Sequence, residues 1–298
     1  MVMRVATFGL TSSLLSQSLA TQAKLAEKTN QQVSGVNSTD YAGLGTDATR
    51  MVGLEVAVTR SEAYQSAGTL ANTRIEAMYS ATDSMVDLLT QMRAEVSAAS
   101  LGEDSTTLQS TAASLLEEFT ALINTQSQGR YLFAGSMTGE PPASTEGYEA
   151  TSLTDVNTGY YSGDENTASV AVSESWTIDY GISGGNDALE KAMRALSYLA
   201  NADTLDSQSL TAAADLLVEA QDGISSLQVG LSLAASSIER AITSEEEFTA
   251  TAEELIAEIN TSDTAVLAVM ITSYNTQLEA SYSALGTLSS LSLMDYLR

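Results

Sequence analysis

The stretch LTAAADLLVEAQDGISSLQVGLSLAASSI, residues 210–238, decides the fold. Leu210, Leu217, Ile224, Leu231 and Ile238 stand one heptad apart, and Ala213, Ala220, Leu227, Ala234 and Ala241 each follow three places later. Five repeats of an a/d pattern describe a long helix that lies along another helix. A matching seam runs through Ile75, Met78, Met85, Leu89, Met92 and Val96. These surfaces are made for packing, and the methionine stripe reads as the unbranched filling of a coiled-coil seam rather than as a metal groove.

Outward from that stretch, helix signals dominate. Pro141 and Pro142 are the only prolines among 298 residues, which suits long helices on either side of them. Leu15, Leu19 and Leu25, with Phe8 before them, recur at helical spacing from about Val5 to Val33. A glycine-punctuated loop, residues 34–46, separates this helix from a second that Asp47 caps and that runs to about Ser100. A turn at residues 101–104 leads to a third helix through Leu108, Ala112, Leu115, Leu116, Phe119, Leu122 and Ile123, which Gly129 is expected to end. The run Tyr131-Leu132-Phe133-Ala134 reads as a strand closed by Gly135.

Residues 136–186 change character. Glycine, serine, threonine and aspartate replace the helical period, and Val170, Val172, Trp176, Ile178 and Tyr180 alternate with polar residues at period two. A hairpin turning near Ser173 to Ser175 is expected there. Helix signals return at Asn186 and Asp187, then at Ser207, where the heptad helix begins; its d track is expected to run on through Phe248 and Leu255. A last helix carries Val266, Met270, Tyr274, Leu278 and Leu285 on one face.

Composition excludes much chemistry. Histidine and cysteine are both absent, which removes imidazole acid–base work, thiol and Ser-His-Asp catalysis, the usual zinc sites and disulfides. A net charge of −26 argues against nucleic acid and anionic membrane as partners. The glutamates at 245–247, 253, 254 and 258 lack the glycine turn of a calcium loop and read as a solvated helix face. Asp155, Asp164, Glu165 and Asp179 read as turn residues rather than a hydrolytic pair. No catalytic, cofactor or metal residue is therefore assigned, and the chain reads as a non-enzyme.

Charge also points to where assembly occurs. Residues 195–260 hold twelve acidic side chains against Arg240 alone, whereas residues 1–60 hold five basic and four acidic. The helices at both ends are charge-poor and apolar-striped, with too few partners within one chain for complete burial. Self-assembly is expected through Phe8, Leu15, Leu19, Val266, Met270, Tyr274, Leu278, Leu285 and Leu288. The intrasubunit seam is assigned to Ile75, Met78, Met85, Leu89 and Met92 against Leu210, Leu217, Ile224, Leu231 and Ile238. The N-terminal apolar stretch is broken by polar residues and reads as an amphipathic helix rather than a cleaved signal. No run is long enough to span a membrane.

Three segments carry a resemblance: VSGVNSTDYAGL (residues 33–44), GRYLFAG (residues 129–135) with Thr138 and Pro141-Pro142 after it, and YSGD (residues 161–164). With residues 291–298 they resemble the bacterial flagellin family, most closely its hook–filament junction branch, the hook-associated protein 3 type. The chain departs from the common pattern in having Val36 where an arginine usually follows Ser-Gly, and a single Asp40 in place of paired aspartates. The resemblance implies a mainly α fold: a long antiparallel helical bundle or coiled coil formed by the N- and C-terminal segments, with a small β-rich insert. It implies an assembly domain from 1–45 and 261–298, a helical shell from 46–135 and 187–260, and an outer insert at 136–186. It further implies an extracellular structural subunit of the flagellum, exported without a cleaved signal peptide. Its partners would be copies of itself, a neighbouring hook-associated protein, flagellin and an export chaperone. A filament flagellin and a secreted adhesin or interaction module stand as alternatives.

Overall fold

The computed structural model describes the backbone of residues 2–100, 105–202 and 204–296, and the side chains of 9–100, 106–202 and 204–288. Helix α1 spans Val2–Ser34, α2 Ala48–Ser100, α3 Ser105–Ile123, α4 Asp187–Asn201, α5 Ser207–Asn260 and α6 Thr264–Tyr296. Four short strands lie between α3 and α4: β1 Gln126–Ser127, β2 Arg130–Tyr131, β3 Ser169–Ala171 and β4 Thr177–Asp179. The protein is mainly α with a small β insert, as expected. It divides into two compact units, residues 60–248 and a second unit made of 1–59 with 249–298.

The unit 60–248 is organised by the heptad seam. Ile75, Met78, Met85, Leu89 and Met92 of α2 are buried, and so are Leu210, Leu217, Ile224, Leu231 and Ile238 of α5. Cross-helix contacts fix an antiparallel pairing: Ser61 Oγ donates to the Glu245 carbonyl at 3.0 Å, and Arg93 Nη1 to Gln221 Oε1 at 2.7 Å. Gln221 also donates from Nε2 to Thr90 Oγ1 at 2.7 Å and to the Val86 carbonyl at 3.2 Å. An aliphatic seam tolerates sliding by a heptad, but a buried amide with three specific partners does not.

Helices α3 and α4 close the other side of this core. They pack against each other, burying Leu108, Ala112, Leu115, Leu116 and Phe119 with Leu189, Met193, Leu196 and Leu199. Gly223 lets α4 approach α5, since a Cβ there would lie 2.6 Å from that of Ala188. Asn186 caps α4 by accepting from the Ala188 N–H at 3.0 Å.

Several expectations need correction. The third helix ends at Ile123, and Gly129 instead closes a β1–β2 hairpin in which Gln128 and Gly129 have φ of 53° and 74°. Both central residues at positive φ fit a type I′ turn, so the glycine serves a tight turn rather than a helix end. The strand expected over residues 131–134 is cut to Arg130–Tyr131, because Phe133 and Ala134 turn inward and are buried. The hairpin of β3 and β4 is present with Val170 opposite Ile178; Val172 and Tyr180 are also buried, while Trp176 sits exposed at its turn. Asp47 ends a 3-10 helix, Tyr41–Asp47, instead of capping α2. Of the d-track residues expected beyond Ala241, Phe248 is exposed and Leu255 half-buried. The turn at 101–104 lies outside the described residues.

The insert is tied down by polar contacts. Asp164 accepts from Ser136 N at 2.8 Å, from Ser136 Oγ and from Asn166 N at 3.0 Å. Its backbone carbonyl takes hydrogen bonds from Tyr161 Oη and Ser183 Oγ. These bonds, the Ser136 hydroxyl above all, hold the Asp164 carboxyl down at about 2 from an ordinary 3.8. At α4, the buried Glu190–Arg194 ion pair (3.2 Å) accepts the Asn157 N–H on Glu190 Oε1, and Ser197 Oγ accepts the Ala150 N–H.

Two outcomes follow. Leu217→Ala should cost about 2–5 kcal/mol in urea unfolding, since both seam partners are closed around that position. Because Asp164 has a depressed folded pKa, its contribution is complete above about pH 4 and fades as pH falls through about 2. Asp164→Asn should therefore weaken the insert at neutral pH and flatten its acid response in that window, read by hydrogen exchange of residues 134–166.

Candidate assembly surface

The second unit contains α1 and α6, packed along each other. A clasp sets their junction. Gly35, at φ 75°, ends α1 and accepts from the Ser262 N–H at 3.0 Å. Asn37 N donates to the Asn260 carbonyl at 2.6 Å, and Asn37 Nδ2 to the Ile259 carbonyl at 2.9 Å and that of Thr261 at 3.2 Å. Gln31 Nε2 returns to the Asn37 carbonyl at 2.7 Å, while Ser262 Oγ donates to that of Gln31. The break between α5 and α6 is thus sewn to the end of α1, and Asp263 starts α6 by accepting from the Ala265 and Val266 amides. Nearby, Tyr41 Oη donates to Glu55 Oε2 at 2.6 Å, and that carboxylate raises the phenol's pKa.

The contact between α1 and α6 is lopsided in chemistry. On α6, Leu267 and Leu278 are buried and Ile271, Tyr274, Ser281, Leu285 and Leu288 half-buried, a spacing of alternating fours and threes. On α1 the covered positions are Thr11, Leu14, Ser18, Thr21, Leu25, Lys28 and Gln31. Only Leu14 and Leu25 of those are aliphatic. Ser18 is 2% exposed and its hydroxyl has no hydrogen-bond partner among the described residues. Further along, Gln22 Nε2 donates to Tyr282 Oη at 2.5 Å.

Other aliphatic side chains of α1 point the other way. Leu10, Leu15 and Leu19 are each more than half exposed, as is Val269 at 71%; Val266, Met270 and Tyr282 are exposed as well. Among the described residues these hydrophobic side chains of both helices are left facing water.

The positions expected in assembly are therefore divided. Leu15, Leu19, Val266 and Met270 lie on the exposed face, Tyr274, Leu285 and Leu288 are half-buried, and Leu278 is inside the subunit. The side chain of Phe8 lies outside the described residues. Sequence reasoning missed the clasp, whose signal was an Asn or Ser at each helix boundary, namely Asn37, Asn260 and Ser262. It also missed Leu267 and Ile271, because Val266 and Met270 make an equally good stripe one residue earlier. Among the described residues no group of three or more carboxylates forms that could hold a metal, and no helix is long and apolar enough to cross a membrane.

Searches of protein families and of curated proteins give no match to this chain. Solved structures do. A flagellar hook-associated protein from Vibrio parahaemolyticus superposes with a TM-score of 0.60 at 15% identity, covering 72% of this chain and 97% of that one. This chain has the fold of that hook-associated protein. FlgL from Bacillus cereus aligns at a TM-score of 0.49 and 16% identity, over 71% of this chain and 99% of its own. The flagellar hook-associated protein-3 of Legionella pneumophila aligns at 0.45 and 13%, over 71% and 97%.

Ser18→Ala should stabilise the α1–α6 pair by about 1 kcal/mol, because it removes a buried hydroxyl that has no hydrogen-bond partner among the described residues. Slower hydrogen exchange across α1 is the expected reading; faster exchange there would show that the hydroxyl is satisfied in solution.

Proposed function

We propose that the chain is a structural subunit of the bacterial flagellum that joins hook to filament. It polymerises with copies of itself through the outward faces of α1 and α6. One observation carries the reading: two long helices pack on each other yet present Leu15, Leu19, Val266 and Met270 to solvent. Burying apolar area is worth roughly 25 cal/mol per Å². A row of such side chains on each helix therefore favours a partner strongly, and repetition of the same contact makes a polymer. The fold shared with a hook-associated protein supplies the setting.

In that setting the subunit works outside the cell, between a neighbouring hook-associated protein and flagellin, and travels there without a cleaved signal peptide. Before export, the exposed α6 stripe suits the groove of a chaperone, the helix-in-groove mode. The acidic unit 60–248 holds its own core and leaves contacts between subunits to the two terminal helices. No step of chemistry is required of any residue.

The test is genetic and microscopic. A deletion strain should carry hooks without filaments and shed flagellin into the medium; dominance of this chain in sheared filaments would instead make it the filament subunit. The double substitution Leu15→Asp, Leu19→Asp should leave the monomer's helical content and thermal midpoint nearly unchanged, because both side chains are already exposed. It should nevertheless fail to restore filaments to that strain. Normal motility with the doubly charged variant would defeat the proposed surface.

A further inference from the structure

Two of the chain's twelve basic side chains, Arg74 of α2 and Arg130 of β2, border one recess of about 280 Å³ in the unit 60–248. Neither forms an ion pair with any described carboxylate, although the chain carries 38 acidic residues. Each bonds a neutral hydroxyl instead: Arg74 Nη1 donates to Tyr180 Oη and Arg130 Nε to Thr138 Oγ1, both at 3.2 Å. Arg74 Nε is fully enclosed and has no acceptor among the described residues. In a protein of net charge −26, two guanidiniums facing one hollow without a lining carboxylate form a local positive site.

We propose that this recess binds a single carboxylate-bearing sugar unit. A planar guanidinium fork matches a carboxylate through paired N–H···O bonds, and the two arginines supply that match. The rest of the lining suits a hydroxylated ring: the Tyr131 and Tyr180 phenols, Thr138 and the Asn166 amide, with Met78 as an apolar wall. The volume lies just below the range of small-ligand pockets, which starts near 300 Å³, so one ring fits and a longer oligomer extends outward. Inorganic phosphate is disfavoured by the backbone. Phosphate sites gather free N–H groups, but here the Ser136 and Asn166 amides at the wall are already spent on Asp164. That same arrangement occupies the Asp164 oxygens and limits how far its charge opposes an incoming anion. This site is independent of the flagellar reading and survives if that reading fails.

The experiment is calorimetric titration of the full chain with sodium glucuronate and sodium galacturonate, and separately with glucose and inorganic phosphate. At least one uronate should bind, about tenfold or more above glucose and phosphate, and more weakly as sodium chloride is raised. Arg74→Lys should reduce uronate binding about tenfold without moving the thermal midpoint, since it keeps the charge but loses the fork. Arg130→Gln, on an exposed hairpin, should weaken binding as well and guards against a folding defect in the first variant. Absence of uronate binding to the parent protein overturns the proposal, as does equal binding of glucose or undiminished binding in both variants. Loss of filament restoration by Arg74→Lys without any uronate binding would assign the recess to a carboxylate of a neighbouring subunit, and the sugar site would fall.

Discussion

The antiparallel seam between α2 and α5 is the constraint on which the unit 60–248 depends. Its side chains are apolar and regular, so they supply attraction without choosing a register. Gln221 makes the choice, because its amide sits within the seam with Thr90, Val86 and Arg93 as its hydrogen-bond partners across it. Sliding α5 along α2 would bury that amide against carbon, and an unsatisfied buried polar group costs about 1–3 kcal/mol. The aliphatic residues therefore fund the association, and one polar residue fixes its geometry.

Once that register is set, the insert has a platform. Gly223 lets α4 lie close to α5, and α4 presents Glu190 and Ser197 to the backbone of Asn157 and Ala150. Residues 136–186 have too little regular structure to close a core alone: their strands are two or three residues long. What holds them is the burial of Tyr148, Tyr160, Val170, Val172, Ile178 and Tyr180 in the core of that unit, together with side-chain to backbone bonds in which Asp164, Tyr161 and Ser183 join three separate loops. Satisfying backbone groups through side chains is the usual solution where ladders are short.

The unit containing α1 and α6 follows a different logic. Its inner contact is mixed, with threonine, serine, lysine and glutamine of α1 facing a mostly aliphatic stripe of α6. Its strongest fixed point is the clasp of residues 35–38 on 259–262, where backbone groups left over at helix ends find partners. Much of the aliphatic surface remains outside. Such a pair is held together, yet is only partly covered by the described residues.

The sequence by itself determined the order of long helices around a β-rich insert, the heptad spacing along α5 and the absence of histidine and cysteine chemistry. It could do so because heptad spacing and composition are local properties that no packing choice alters. It did not determine which of two adjacent stripes on α6 turns inward. Val266 with Met270 and Leu267 with Ile271 are equally periodic, and only contact with α1 separates them. It likewise missed the hairpin at Gln128-Gly129, since a glycine ends a helix or closes a turn with equal ease until its neighbours are placed. The tertiary structure decided these points, together with the clasp at Asn37 and the recess between Arg74 and Arg130, because each joins residues distant in sequence that no local pattern connects.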